Sequence, residues 1–449
     1  MTSLPDGTAL AWYGDDFTGS AAVMEELAFA GVETALFLRV PTADERQRFA
    51  GAKAIGLAGT ARAHGPAWMA DHLPPAFAFL KGLDAALNLY KICSTLDSSP
   101  DIGSIGAAIG LARTTFGEGA VPVFPASPKM DRFQCFGTLF ARAGDGIHRL
   151  DRHPVVSRHP VTPMDEADVA RHLARQTDEA IGTLMLPDLH RIDEAWSDLV
   201  GRGNRLITID TARDGDLLPC GRLFTSLPHG SFIAGSQGVA EALVAVWHAD
   251  GALPTARPHA PVGPSRAMVA LSGSLSPTTS QQIAEALRDG FALVPLDAAA
   301  CLGTNRQGAV DIAIRAALAA LSAGRAPLIA SAMGSDDPAV AIFKATAQAA
   351  GLSTEEANMK VGQALGSVLG PLAARNAIDR VAVAGGDTSG YVLKQLDALA
   401  LTGLAPLTPG AGLYRLHPTS ADESTLEISL KGGQMGSPRY FSEVRAGKV

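Results

Sequence analysis

Two adjacent carboxylates near the start of the chain, Asp15 and Asp16, are the residues best suited to chemistry. They lie in Gly14-Asp15-Asp16-Phe17-Thr18-Gly19, a polar loop flanked by glycines. Like charges side by side are costly to hold unless a cation or a substrate hydroxyl uses them. The pair therefore reads as a candidate general base. Further on, Arg62, then Lys91 with Ser94 and Thr95, and then Lys129 each follow a short apolar run. Cations that hold a carboxylate, beside a carboxylate that takes a hydroxyl proton, suit a small, polar, anionic substrate. Any one of them alone is explained as a cap or a surface group. Their recurrence after successive strands is what points to a single site.

The second half carries signals for phosphate. Gly385-Gly386-Asp387-Thr388-Ser389-Gly390 follows an apolar run and opens a helical pattern. Glycines let the backbone approach an anion, and the free N–H groups of a helix start point at it. An ordinary strand-to-helix turn capped by Thr388 or Ser389 accounts for the same residues. Ser272-Gly273-Ser274-Leu275-Ser276, with Pro277 at the helix start, reads either as a second nucleotide contact or as a capping turn. Lys431-Gly432-Gly433-Gln434-Met435-Gly436 is glycine-rich behind a cation, and a β-turn beside a solvent-exposed lysine is its plainer explanation. None of these stretches is GxxxxGK[ST] or GxGxxG, which disfavours a P-loop NTPase and a Rossmann dehydrogenase.

His148, His153, His159 and His172 have no spacing with a ligand mechanism such as HExxH. Salt-bridged loop residues (Arg149, Asp151, Arg152, Arg158) explain that run better than a metal. There is no GxSxG elbow, and Cys93 has no evident histidine partner, which sets hydrolase chemistry aside.

These groups need elements to place them. Thr8–Tyr13 reads as a buried strand. Ser20–Ala30 reads as a helix with Ala22, Val23, Leu27 and Ala30 at helical spacing and Gly31 as its stop, and Val32–Leu38 as a second strand. A βαβ unit puts its first loop at the carboxyl end of a parallel strand, where open α/β sheets bind ligands. Lys53–Ala58, Leu89–Cys93, Val121–Pro125, Thr183–Pro187, Leu206–Asp210 and Ser231–Ala234 continue the strands. Helical patterns separate them, one of which, Pro66–Asn88, is expected to break at Pro74-Pro75. Arg132–Pro163 is aperiodic and rich in Arg, His, Gly and Pro, so it reads as a long loop covering a site. A helix is expected over Asp165–Thr177.

Gly251–Arg266, with four prolines and little apolar content, reads as a linker. After it come strands at Ala267–Ser272, Phe291–Leu296, Ala326–Ser331 and Arg380–Ala384. The helices expected among them are Pro277–Asp289, Gly308–Ala323, about Ala357–Ala377 and Tyr391–Leu399, and strand candidates lie around Leu413 and over Leu426–Leu430. The alternating order predicts an α/β fold: two α/β domains with mostly parallel sheets and a ligand cleft between them, domains 1–250 and 267–449 joined by 251–266.

With 449 residues, 47% of them hydrophobic, the chain can bury large cores. A net charge of −8 without a basic cluster argues against a nucleic-acid surface. The four cysteines never form CxxC, which fits a reduced, cytoplasmic protein better than a disulfide framework or a zinc site. The amino terminus lacks the basic and apolar regions of a signal peptide, and no apolar run is long enough for a membrane span.

Taken together, GDDFTGSAAVMEELAFAG, GLAGTARA, YKICSTL, LSGSLSPTTSQQI, AGGDTSGYVLKQL and LKGGQMG resemble, in matching order, the motifs of the four-carbon acid sugar kinases, formerly a domain of unknown function. The resemblance covers nearly the whole chain. It implies an amino-terminal substrate domain and a carboxyl-terminal ATP domain. The implied reaction is ATP-dependent phosphorylation, with Mg2+, of small sugar acids such as 3-oxo-tetronates, threonate and erythronate. By position, Asp15 and Asp16 fall in the substrate loop with Thr18, one of the two acids being the base. Arg62, Lys91, Ser94, Thr95 and Lys129 would bind the acid. Ser272, Ser274, Gly385, Gly386, Asp387, Thr388 and Gly433 would face ATP. A homodimer is compatible with this reading, and no membrane or nucleic-acid partner is expected.

Two departures stand out. The family's K-x-D-S-T-L-R-G is here Lys91-Ile92-Cys93-Ser94-Thr95-Leu96-Asp97-Ser98, so an acid has become Cys93 and a cation Asp97. The usual G-R after the next strand is Pro128-Lys129. A reversed charge disfavours the same ligand, so a branched relative such as 3-oxo-isoapionate fits better than a plain tetronate. The rival readings are an acid-sugar dehydrogenase and a non-catalytic binding protein on the same fold.

Overall fold

The computed structural model of the chain describes residues 4–159, 161–254, 262–374, 378–408, 410–420 and 426–447; the side chains at 374 and 387 also lie outside the described residues. Two compact units are present, Met1–Arg257 and Pro258–Val449. Part of the linker expected at 251–266, and the end of the helix expected to reach Ala377, lie outside the described residues.

In the first unit the strands are β1 (Leu10–Gly14), β2 (Thr34–Phe37), β3 (Ala54–Ala58), β4 (Leu87–Lys91), β5 (Val121–Phe124), β6 (Arg132–Cys135), β7 (Thr138–Ala143), β8 (Gly146–Arg149), β9 (Ile181–Leu184), β10 (Leu206–Ile209) and β11 (Ser231–Gly235). Eight of them form one parallel sheet in the order β2-β3-β1-β4-β11-β5-β10-β9. The central strands are buried on both faces, which is why they read as unbroken apolar runs. Register brings their carboxyl ends level: Gly14 pairs with both Ala58 and Lys91, and Gly235 pairs with Lys91 and Phe124. Whatever follows these residues shares one sheet edge.

The helix Pro66–Gly82 runs unbroken through Pro74 and Pro75, against the break expected there. Both prolines are on the exposed side, so the carbonyls they leave unbonded, at Ala70 and Asp71, meet water, while Met69, Leu73, Phe77 and Leu80 keep the buried stripe.

Arg132–Pro163 is not a long loop. Its first half is an antiparallel three-stranded sheet, β6-β7-β8. The buried Asp210 clamps it, accepting from Gln134 Nε2 (3.1 Å) and from the backbone N–H groups of Phe136 (2.6 Å) and Gly137 (2.9 Å). The helix expected over Asp165–Thr177 shrinks to Val169–Leu173, where Asp168 caps Arg171 N–H.

In the second unit the strands are β12 (Met268–Ser272), β13 (Ala292–Pro295), β14 (Pro327–Ala330), β15 (Arg380–Ala384), β16 (Ala398–Thr408), β17 (Ala411–Pro418) and β18 (Glu427–Lys431), in the order β13-β14-β12-β15-β18-β17-β16. The first five are parallel, and β17 and β16 are antiparallel. The helix expected to reach Leu399 stops at Gln395, and β16 takes over from Ala398. Ala398-Leu399-Ala400-Leu401 has helix-forming composition, and pairing with β17 overrides it. The helices Pro338–Ala349 and Tyr440–Ala446 were not expected. The α/β architecture with mostly parallel sheets holds in both units.

Candidate active site and nucleotide pocket

Asp16 is the N-cap of helix Phe17–Phe29, its Oδ1 accepting from Gly19 N–H at 3.0 Å. Gly14 has to be glycine here, because a Cβ would overlap the Ser20 hydroxyl, which turns back to Asp16 O (2.6 Å). Asp15 is buried, and Arg62 reaches it with two bonds: Nε to Oδ2 (3.1 Å) and Nη2 to Oδ1 (2.6 Å). The same Nη2 bonds Asp16 Oδ1 at 2.7 Å. The cation that adjacent carboxylates require is thus Arg62, which is already committed to both. Burial pushes the Asp15 carboxyl up, and Arg62 only partly offsets this. Burial opposes the Arg62 charge, but Asp15 and then Asp16 outweigh it and hold the guanidinium above its usual value. Asp16 is the more open of the two acids, its side chain 28% exposed against 4% for Asp15. Thr18 stands half-buried in the same helix turn.

Lys91 ends β4 two residues earlier than the apolar run suggested, and it is buried. Its ammonium lies beneath the Asp16–Gly19 turn and donates to Ile92 O at 2.5 Å. Burial lowers its pKa, opposed by Asp15 and Asp16. Beyond it, Thr95 Oγ1 donates to Asp97 Oδ1 (2.8 Å) and Cys93 Sγ–H to Asp97 Oδ2 (3.1 Å). Burial, and then Asp97, push the Cys93 thiol up to about 11, so it is a neutral donor. Ser94 is half-buried in this loop.

Lys129 stands apart from these residues, paired with Glu26 at 3.1 Å. Beside it the structure reveals a group that the motifs did not mark. Glu241 is buried, accepts from Ser127 Oγ, and leaves Oε2 without a partner among the described residues. Burial, and then Glu26, push it up to about 7. It hid inside an ordinary apolar helix pattern, although Ser236-Gln237-Gly238 just before it is one more polar turn after a parallel strand. In the histidine run Arg149 does pair with Asp151. His172, by contrast, is buried against Ser98 (2.9 Å) and Gln176 (3.1 Å), and burial lowers its pKa to about 4.

In the second unit Ser272, Ala384 and Lys431 are level across β12, β15 and β18. The three loops that follow converge on a cavity of about 320 Å³, lined by Ser274, Gly385, Gly386, Thr388 and Gly433. Phe343, Val361 and Tyr391 with Asn358 also line it, from helices Pro338–Ala349, Thr354–Ala374 and Gly386–Gln395. The loops touch closely: a Cβ on Gly273 would overlap Thr388 Oγ1, and one on Gly433 would sit 2.7 Å from Ser274 Oγ. Gly385 has φ 127°, outside the range of most L residues, and gives the helix no side-chain cap, so its first N–H groups open to the cavity. Ser272 does not line the cavity; it is buried, and its hydroxyl has no partner among the described residues. The Asp387 side chain lies outside the described residues. A cavity lined by apolar side chains together with glycines and an uncapped helix start suits a base and a phosphate chain.

Lys431, expected at the surface, is buried. Its Nζ meets Thr279 Oγ1 (3.1 Å) and Gly432 O (3.2 Å), and Thr279 in turn bonds Gly433 O (3.0 Å). Burial, with no carboxylate opposing it among the described residues, lowers its pKa to about 8. Folded protein therefore holds fewer protons than unfolded between pH 8 and 10.5, and stability rises with pH across that window, by up to about 3 kcal/mol. In chemical denaturation, Lys431→Met should flatten this rise; an unchanged slope would contradict it.

The chain matches two family models: a sugar-binding N-terminal domain over residues 10–243 and a nucleotide-binding C-terminal domain over 269–441. It is 42% identical to a 3-oxo-isoapionate kinase of Paraburkholderia graminis, covering 100% of this chain and 96% of that one. It is 30% identical to a 3-oxo-tetronate kinase of Cupriavidus necator, covering 97% and 96%. A solved structure from Salmonella typhimurium LT2, which carries a tRNA-synthase label, aligns with a TM-score of 0.80 at 25% identity, covering 97% and 98%. A Haemophilus influenzae structure aligns at 0.73 and 21% identity, covering 97% and 98%, and bears on the fold alone. Among the described residues no helix is long and apolar enough to cross a membrane.

Proposed function

Since the chain belongs to the four-carbon acid sugar kinase family, with its sugar-binding N-terminal and nucleotide-binding C-terminal domains, we propose that the small sugar acid it phosphorylates is 3-oxo-isoapionate. The observation that carries this reading is the 42% identity along the full chain to the Paraburkholderia graminis kinase of that name, against 30% for the 3-oxo-tetronate kinase. The charge reversal at Asp97 supports it. Dehydrogenase chemistry and passive binding are not favoured.

In this reading the acid lies over the Asp16, Lys91 and Asp97 loops at the carboxyl edge of β1 and β4. ATP occupies the cavity walled by Ser274, Gly385, Gly386, Thr388 and Gly433, with its phosphates at the uncapped helix start. Asp16 is the base. Its Oδ1 is taken by Gly19 and Arg62, whereas Oδ2 has no hydrogen bond among the described residues and is free for a substrate hydroxyl. Asp15 is too deeply buried and too fully bonded for that task, and with Arg62 it fixes Asp16. The hydroxyl oxygen attacks the γ-phosphorus, its proton goes to Asp16, and the bond to the β-phosphate oxygen breaks to leave ADP. Mg2+ would neutralise charge on the β- and γ-phosphates. No group of three or more His, Cys, Asp or Glu is placed to hold a metal among the described residues, and the hydroxyls of Ser274 and Thr388 suit an ion carried by phosphates and water.

A coupled ADP-release assay across tetronates, pentonates and their 3-oxo and branched forms tests the substrate. The highest kcat/KM should fall on 3-oxo-isoapionate, and a higher value on a linear 3-oxo-tetronate would replace it.

A further inference from the structure

Among the described residues Arg62 spends Nε and Nη2 on Asp15 and Asp16, which leaves only Nη1 for a substrate's carboxylate and no two-pronged grip on it. Lys91 is buried beneath the Asp16 turn. A third cation stands at the same sheet edge. Arg132 opens β6 and is tied back to the end of β5 by a backbone bridge with Ser127 (3.0 and 3.1 Å). Among the described residues its Nη1 bonds only the carbonyls of Met130 (3.0 Å) and Asp131 (3.1 Å), and its buried Nε has no partner. The neighbouring Asp131 is taken by Arg142. Cys93, Asp131 and then Asp97 lie within electrostatic reach of the guanidinium, but none forms an ion pair with it among the described residues. Among the described residues this half-buried guanidinium makes no ion pair, and it stands within electrostatic reach of a carboxylate held rigid by two donors, Cys93 and Thr95. Asp97 would repel an acid, yet each of its oxygens keeps a lone pair for a hydroxyl.

We propose that Arg132 and Asp97 form the specificity-determining pair of the sugar-acid site, Arg132 binding the substrate's carboxylate and Asp97 accepting from a hydroxyl of its branch. This rests on the reading that the site holds a sugar acid. Charge-assisted bonds of this kind to a planar guanidinium are the strong ones, and replacing the guanidinium leaves the carboxylate desolvated without a partner.

The test compares 3-oxo-isoapionate with its methyl ester, with ATP consumption as readout. Wild type should strongly prefer the acid. In Arg132→Gln the KM for the acid should rise roughly 10- to 100-fold, the KM for ATP should stay put, and the preference for acid over ester should collapse. A structural role alone would not move that preference. Arg132→Lys, which keeps the charge if the glutamine variant fails to fold, should retain the preference at a several-fold higher KM. Asp97→Asn should lose selectivity for the branched over the linear acid. If wild type is active and Arg132→Gln, or in its place Arg132→Lys, shows an unchanged KM for the acid, the proposal is overturned while the kinase reading stands. If wild type consumes no ATP with any sugar acid, both fall.

Discussion

Replacing Asp16 with asparagine should cut the rate of ATP consumption by about 10²- to 10⁴-fold, the usual worth of a positioned general base, while sugar-acid binding stays within a few-fold of wild type. The separation is possible because Asp16 does two jobs. As an N-cap it needs only an oxygen aimed at Gly19 N–H, and asparagine caps about as well as aspartate, so the helix Phe17–Phe29 keeps its start. As a base it needs the negative charge on the oxygen that faces the substrate, and asparagine has none. Calorimetric titration with the sugar acid, alongside the coupled assay, reads the two jobs separately. A variant that binds and still turns over at a third of the wild-type rate would move the base elsewhere. Glu241 would then be the next group to examine, since burial leaves it titrating near neutrality with one oxygen unbonded.

How far these roles were legible in the sequence differs residue by residue. The loop at Asp15-Asp16 was plain because its parts are contiguous: strand, polar turn and helix stop lie within about thirty residues. The nucleotide cavity was legible as three separate glycine-rich turns, because each lies just after a strand and parallel strands align their ends. What the turns do to one another, such as Gly433 packing on Ser274, has no local signature. Lys431 was misjudged for the same reason: a lysine after a strand looks solvated, and only the packing of helix Pro277–Arg288 and Tyr440 around it shows otherwise. Arg62 looked like a substrate cation, and the sequence cannot tell that role from clamping its own carboxylates. The three-stranded sheet at Arg132–Arg149 was missed because what orders it, the Asp210 carboxylate, sits more than seventy residues away. Arg132 was hidden with it.

The second large effect should come from Arg62. Arg62→Met removes the one guanidinium that bonds Asp15 among the described residues and leaves a buried carboxylate with no hydrogen-bonded cation, only the nearby Lys91 ammonium. Breaking a buried pair from one side costs roughly 3–5 kcal/mol, more than a surface ion pair would, because Asp15 cannot turn to water. The protein would escape part of that cost by protonating Asp15, whose pKa burial already raises above the ordinary 3.8. A carboxyl with a raised folded-state pKa binds more protons folded than unfolded. The variant's stability should therefore be highest at acidic pH and fall as pH rises above about 4 toward the new, higher pKa, a slope steeper than wild type's. Removing the charge as well, in Asp15→Asn with Arg62→Met, should restore much of the loss, giving a coupling energy of order 1–3 kcal/mol in a double-mutant cycle. Equilibrium denaturation of the four proteins at several pH values measures all of this. A single-variant cost under about 1 kcal/mol, with no pH slope, would mean that Arg62 is a substrate ligand that merely rests on Asp15. In that case the acid-binding role would return to Arg62, and Asp16 would depend on Gly19 alone for its orientation.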